Sequence, residues 1–210
     1  MNFVERFIYD VVKSNPNLKN QIKRMYQSAY DLIPSQSCVS EFEITARDGA
    51  FFGFHDKIPF SADDTKLLAM QYGEMPLRMP LDSDQLGIGY YDGVNFDEYH
   101  EVTKTNPWNW HQGCQLQWCG LSNNRIIFND FIDGRNVSRV VNINSKETEL
   151  VAEQSVATVS PDGSVAIGYS FERVNTCMPG YGYSHGTCAG IADDAPSDDG
   201  LYCVDLTNGL

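Results

Sequence analysis

Positive charge is scarce in this chain. Lys and Arg together number 15 against 28 Asp and Glu, a formal net charge of -13. Phosphate recognition depends on clustered Lys and Arg, so no nucleic-acid partner is expected. The same deficit disfavours an anionic membrane surface. Long apolar runs are missing too. No stretch approaches the roughly 18 uninterrupted apolar residues of a membrane span. Near the start, Glu5, Asp10, Lys13 and Lys19 stand where the apolar core of a secretory signal would lie. The expected location is therefore cytoplasmic.

Catalytic signatures are also lacking. There is no G-x-S-x-G and no His-Glu-x-x-His. The run Gly180-Tyr-Gly-Tyr-Ser-His185 fails as a dinucleotide fingerprint, because His185 occupies the place of the third glycine. No Gly-Lys-Ser/Thr of a phosphate loop follows. Histidine is rare, with four in all. The set Cys177, His185 and Cys188 lacks the fourth ligand of a zinc site. Asp193-Asp194 and Asp198-Asp199 lack the spacing of a calcium loop and read as solvated charges. Neither a metal nor a cofactor is expected.

What remains is a globular composition, 42% hydrophobic and 12% aromatic over 210 residues. Such a length supports a sizeable core. Six cysteines, Cys38, Cys114, Cys119, Cys177, Cys188 and Cys203, are irregularly spaced and read as reduced thiols. A Cys177–Cys188 bridge is the alternative for an exported protein.

Two domains are expected, a helical segment over 1–40 and a β region over 41–210. Phe3, Val4, Phe7, Ile8, Val11 and Val12 recur at helical spacing. Asn15-Pro16-Asn17 interrupts the pattern. Ile22, Met25, Tyr26 and Tyr30 resume it up to Pro34, as a helix packed on the main body. Beyond Ser40 the period changes. Phe42 and Ile44 alternate with Glu41, Glu43 and Thr45, the pattern of a half-buried strand.

Three later segments share one shape: strand, polar turn, apolar strand. They run from Ile58 to Met70, Leu116 to Phe128 and Ala157 to Ile167, with turns at Asp63-Asp64, Asn123-Asn124 and Asp162-Gly163. An outer strand ending in a polar turn recurs over 140–148 and 202–209, and more weakly over 101–106. The hairpin turns lie roughly 60 and 40 residues apart, around the repeat of a propeller blade.

Phe60-Ser-Ala-Asp-Asp-Thr-Lys-Leu-Leu-Ala and Val159-Ser-Pro-Asp-Gly-Ser-Val-Ala-Ile resemble the repeat of TolB-type, WD-repeat-like β-propellers, a group that includes oligogalacturonate lyases. The resemblance covers about residues 50–210. It implies an all-β fold, a partial β-propeller of about three four-stranded blades preceded by the helical segment. Closed propellers have at least about four blades, so the chain is expected to continue beyond residue 210 or to pair with a second copy.

In such a fold the first strand of each blade lines the axis. His55, His111, Gln112 and Gln154 fall near the starts of those strands and form one candidate ligand site. Trp108 and Trp110 beside them either stack a sugar or fill the wedge between blades. The long Gly-rich loop carrying Tyr181, Tyr183 and His185 is a candidate binding loop. The function expected is a binding or scaffold module for a glycan or protein partner. The alternative is a carbohydrate-active enzyme, a lyase or hydrolase, with its site at the propeller mouth.

Overall fold

A computed structural model describes residues 16–33, 42, 44–75, 78–187, 191 and 193–207. The chain divides into two compact units, Met1–Ala46 and Arg47–Leu210. In the first, α1 spans Pro16–Asp31. Pro16, which breaks the periodic pattern in the sequence, opens this helix; its fixed φ and missing N–H are tolerated at that position. Tyr26 and Tyr30, four residues apart, pack with ring centroids at 4.7 Å, and Tyr26 donates to the Tyr30 hydroxyl at 3.0 Å. The earlier helical stretch, residues 2–12, lies outside the described residues. Glu41 and Glu43 of the expected 41–45 strand lie outside the described residues, and Phe42, Ile44 and Thr45, which are described, are not in a strand. Residues 44–47 are irregular, and the Phe42 and Ile44 side chains are 81% and 72% exposed. Apolar alternation makes a strand only where a neighbour takes up its hydrogen bonds, and among the described residues the first ladder begins at Ala50.

Among its described residues the second unit is all-β apart from one short helix. Three antiparallel sheets follow one another along the chain. The first contains β1 (Ala50–Phe51), β2 (Leu67–Gln71), β3 (Leu86–Asp92) and β4 (Glu98–Thr105). The second contains β5 (Gln117–Trp118), β6 (Arg125–Ile132), β7 (Arg135–Asn142) and β8 (Thr148–Ala152). The third has β9 (Thr158–Val159), β10 (Val165–Gly168) and β11 (Tyr202–Asp205), with α2 (Phe171–Cys177) between the last two. In every sheet, strands neighbouring in sequence are hydrogen-bonded neighbours in space. The sheets do not close into a ring.

The repeated motif folds the same way twice. Ser61 N donates to Lys66 O at 2.9 Å, and Ser160 N to Val165 O at 2.8 Å. Inside each turn the serine hydroxyl donates to the aspartate two residues on, Asp63 at 2.7 Å and Asp162 at 2.6 Å. Each carboxylate also receives the N–H and hydroxyl of the residue after next, Thr65 or Ser164. The middle hairpin closes more widely, with Cys119 N on Arg125 O, and Ser122 supplies the acceptor for the Asn124 and Arg125 amides. Adjacent turns touch: Asp63 N donates to Asn123 Oδ1, and Leu121 N to Pro161 O.

Alternation along the middle sheet feeds two cores. Ile126, Phe128 and Val141 join Leu68, Met70, Ile88 and Trp108 in one cluster. Their neighbours Ile127 and Val140 join Val156, Ala166, Val204 and Leu206 in the other. Polar cross-links reinforce both seams. Trp118 Nε1 donates to Pro59 O at 2.9 Å. Asn129, fully buried, donates to Val156 O and accepts from Val156 N. Two sequence expectations shift in register. The 101–106 segment is the end of a fourth strand, whereas 140–142 and 202–205 belong to third strands. The third sheet has three strands among the described residues, not four.

Candidate functional site

The turn before the second inner strand meets the long connection between β10 and β11. Asn109 organises the second of these starts. Its Oδ1 accepts from the His111 and Gln112 amides at 3.0 and 2.8 Å, an Asx turn that aims His111 outward. Its Nδ2 donates to Tyr181 O at 3.1 Å. The crossing is thereby held so that the Tyr181 ring lies on His111, centroids 4.2 Å apart and planes within 3°. His111 is exposed and Tyr181 half-buried. Gln112, half-buried, accepts from Gln115 Nε2 at 3.1 Å. Gln115 is buried with φ +60°, a strained conformation for a non-glycine residue.

His55 is exposed and packs on Phe54 at 4.2 Å. Its segment passes close to the same turn, since a Cβ on Gly53 would lie 3.0 Å from Gln112 O. No hydrogen bond or ring contact joins His55 to His111 among the described residues. Gln154 is exposed, and its carbonyl accepts from Ser138 Oγ at 2.9 Å.

Other candidates face inward. Trp108 is 3% exposed, with Nε1 donating to Asp84 O at 2.8 Å, and leaves no ring face for a sugar. Trp110 meets it edge-on at 4.8 Å and donates to Arg78 O. Both rings pack against Phe51, which is the wedge-filling use of tryptophan. Tyr183 is 1% exposed, stacked on Phe171 at 4.5 Å, and its hydroxyl accepts from Asn129 Nδ2 at 2.9 Å. Burial pushes its hydroxyl well above the ordinary tyrosine range. His185 is buried against Phe131 and bonded to Asp82 O. Tyr183 and His185 thus anchor the crossing, and Tyr181 alone of the three meets another candidate, His111.

Three features escape a reading of the sequence. The first is α2, capped by Ser170, whose hydroxyl accepts from Arg173 N. A serine just before an apolar residue and Glu172 was the available signal. The second is a cleft of about 380 Å³ lined by Asp56, Lys57, Phe60, Gln117, Trp118 and Thr158. It runs from the connection between β1 and β2 to the inner strands β5 and β9, and Lys57 is ion-paired to Asp56 at 2.8 Å. The third is a cluster at the β3–β4 hairpin. Asp92, Glu98 and His100 bring one ligand atom each to within 4.8 Å of the others. Asp92 and Glu98 are partners in register, and His100 Nε2 lies 2.8 Å from Asp92 Oδ1. Those donors are of a kind that takes a divalent cation; a protonated His100 satisfies Asp92 equally. Among the described residues, Cys114, Cys119, Cys177 and Cys203 are free thiols; the alternative Cys177–Cys188 bridge involves Cys188, which lies outside the described residues.

Among the described residues, no helix is long and apolar enough to cross a membrane. No family model and no curated protein sequence matches the chain. Among solved structures it is similar to TolB from Acinetobacter baumannii, at 12% identity and a TM-score of 0.44. That match covers 80% of this chain and 32% of the TolB chain, so the chain spans about a third of the protein it resembles.

Proposed function

We propose that residues 47–207 form a partial β-propeller serving as a binding module, with a polar ligand, a glycan or a protein surface, held at the starts of the inner strands. The observation carrying this is the parallel stack of Tyr181 on the exposed His111. The connection between β10 and β11 is fastened through Tyr181 at the start of the second inner strand, and long connections in compact folds tend to be functional. The exposed imidazole and the Gln112 carboxamide each offer a donor and an acceptor, a match for hydroxyl groups. An aromatic face beside them suits the apolar side of a sugar ring. His55 and Gln154 belong to the outer part of the same rim in this reading.

The test is a glycan panel probed with the wild-type chain and with His111→Ala, Tyr181→Ala and His55→Ala. Binding should fall by about tenfold for the first two, the loss of one central aromatic contact. His55→Ala should weaken it less. Unchanged affinity in both His111→Ala and Tyr181→Ala would overturn the site, and no retention of any glycan would reject the glycan ligand.

A further inference from the structure

The hairpin joining β3 to β4 sets two carboxylates against each other. Asp92 and Glu98 are its last paired residues, directly opposite in register. Like charges that face each other across a ladder repel. Side chains two residues apart on a strand share a face, so His100, paired with Tyr90, stands on the same side as Asp92 and Glu98. Each of the three brings one ligand atom to within 4.8 Å of the other two.

Both the ring and the turn are held in place. Tyr90 stacks on His100, centroids 5.0 Å apart and planes within 25°. Arg47 Nη2 donates to Asn95 O and Phe96 O at 3.2 and 3.3 Å, and Phe96 meets Phe60 edge-on at 5.7 Å. No basic side chain relieves the repulsion. Among the described residues no Lys or Arg is ion-paired to Asp92 or Glu98, and Lys66, just before β2, donates to Thr65 Oγ1 at 3.5 Å. His100 Nε2 lies 2.8 Å from Asp92 Oδ1. A proton shared there serves Asp92 and leaves Glu98 without a partner; a divalent cation serves all three groups at once. The Asp92 and His100 side chains are 33% and 42% exposed, and His100 borders a cleft of about 540 Å³ with Tyr90 and Lys146, so water has access to complete a coordination shell.

We propose that Asp92, Glu98 and His100 form a binding site for a divalent transition-metal ion of the zinc class. Two carboxylate oxygens and one imidazole nitrogen make three protein ligands, and water takes the remaining position, the pattern of an open zinc site. Glu98, exposed at the surface, swings in to close the set. The imidazole selects against calcium and magnesium, which take more numerous ligands, nearly all oxygen. The bound ion cancels the facing charges and fastens the β3–β4 turn. The site shares no residue with the His111 rim and stands whether or not that rim takes a ligand.

Cobalt(II) added to chelator-treated protein tests the site, read on the histidine ring resonances by NMR. The paramagnetic ion broadens the ring it binds, and the chain holds four histidines in all. His100 should broaden first, below one equivalent, ahead of the exposed His55 and His111. Zinc at one equivalent should displace the cobalt from His100, whereas calcium in about a hundredfold excess should not. Asp92→Asn and Glu98→Gln, both outside the buried cores, should fold and should each weaken cobalt binding at His100 by about tenfold or more, as losing even an outer-shell partner does. Simultaneous broadening of His55, His100 and His111 would mean adventitious binding to exposed imidazoles and would overturn the site. Displacement by calcium, or wild-type binding in both variants, would overturn it too.

Discussion

Gly163 has φ +74°, and a Cβ built on it would lie 3.0 Å from Cys119 O. Gly120, across the seam between the second and third hairpins, has φ +69° and would bring a Cβ to 2.6 Å from Gly163 N. Gly134 has φ +81° with nothing within 4 Å. All three occupy the left-handed region, so alanine at each carries backbone strain of about 1 kcal/mol or more. Only the first two also force main chain against main chain. Gly134→Ala should therefore cost about 1 kcal/mol, Gly163→Ala or Gly163→Val about 1–3, and Gly120→Ala about 3 or more. Urea unfolding reads the order directly, and an equal cost at Gly120 and Gly134 would contradict the seam. Gly163 was legible because Ser-Pro-Asp-Gly is a turn by local chemistry alone. Gly120 was not, since its partner lies in another hairpin. The same limit governs the candidate site. The sequence marks His111, Trp108, Tyr183 and His185 as polar or aromatic, but which of them faces solvent depends on Tyr181, Asp84, Asn129 and Asp82, far away along the chain.

The matched serine–aspartate turns give these hairpins a shared response to acid. Hydroxyl groups of Ser61 and Thr65 hold the Asp63 carboxyl down to about 2, from an ordinary 3.8. Ser160 and Ser164 hold Asp162 down to about 2 likewise. A carboxyl lowered in the folded state contributes stability that is complete above its unfolded value and is lost as pH falls through the folded one. Stability should thus decline between about pH 4 and about pH 2 as both turns lose their acceptors. In the double variant Asp63→Asn/Asp162→Asn the urea midpoint should be lower at neutral pH and flatter across that acid range. Parallel curves for variant and wild type would remove the turns as the source. Pairing of the hairpins was readable at this scale because strand, turn and strand are contiguous. The helix α2 was hidden inside a stretch dominated by Gly and Tyr. Its cap can be tested: Ser170→Ala removes the acceptor for Arg173 N at 3.1 Å and should cost about 1 kcal/mol in thermal or urea unfolding. Ile44 shows the converse error, a residue of an expected strand that lies outside any strand and is 72% exposed.

Within residues 47–207 the three sheets are not equivalent, and the difference follows from alternation. The middle sheet supplies Leu116, Trp118, Ile126, Phe128 and Val141 to one core and Cys119, Ile127, Val140 and Ala152 to the other. Both of its faces are covered. The third sheet offers Ala166 and Val204 to a core on one side, while Ile167 stays 37% exposed and Cys203 is exposed on the other. Its strands are also shorter, four residues in β10 and β11 against eight in β6 and β7. Regions with fewer buried apolar contacts open at lower free energy than the global transition. Amide exchange should therefore be slowest in β6 and β7 and should start in β10 and β11, with the first sheet between them. Because Asn129 ties the third sheet to the second through both polar groups of Val156, Asn129→Ala should widen the gap. That change orphans a buried N–H and a buried carbonyl, each worth about 1–3 kcal/mol when left unpaired. Exchange in β10 and β11 should then accelerate by a larger factor than in β2 and β3. Equal acceleration in all three sheets would mean that the unit opens only as a whole, and that the two cores are energetically one.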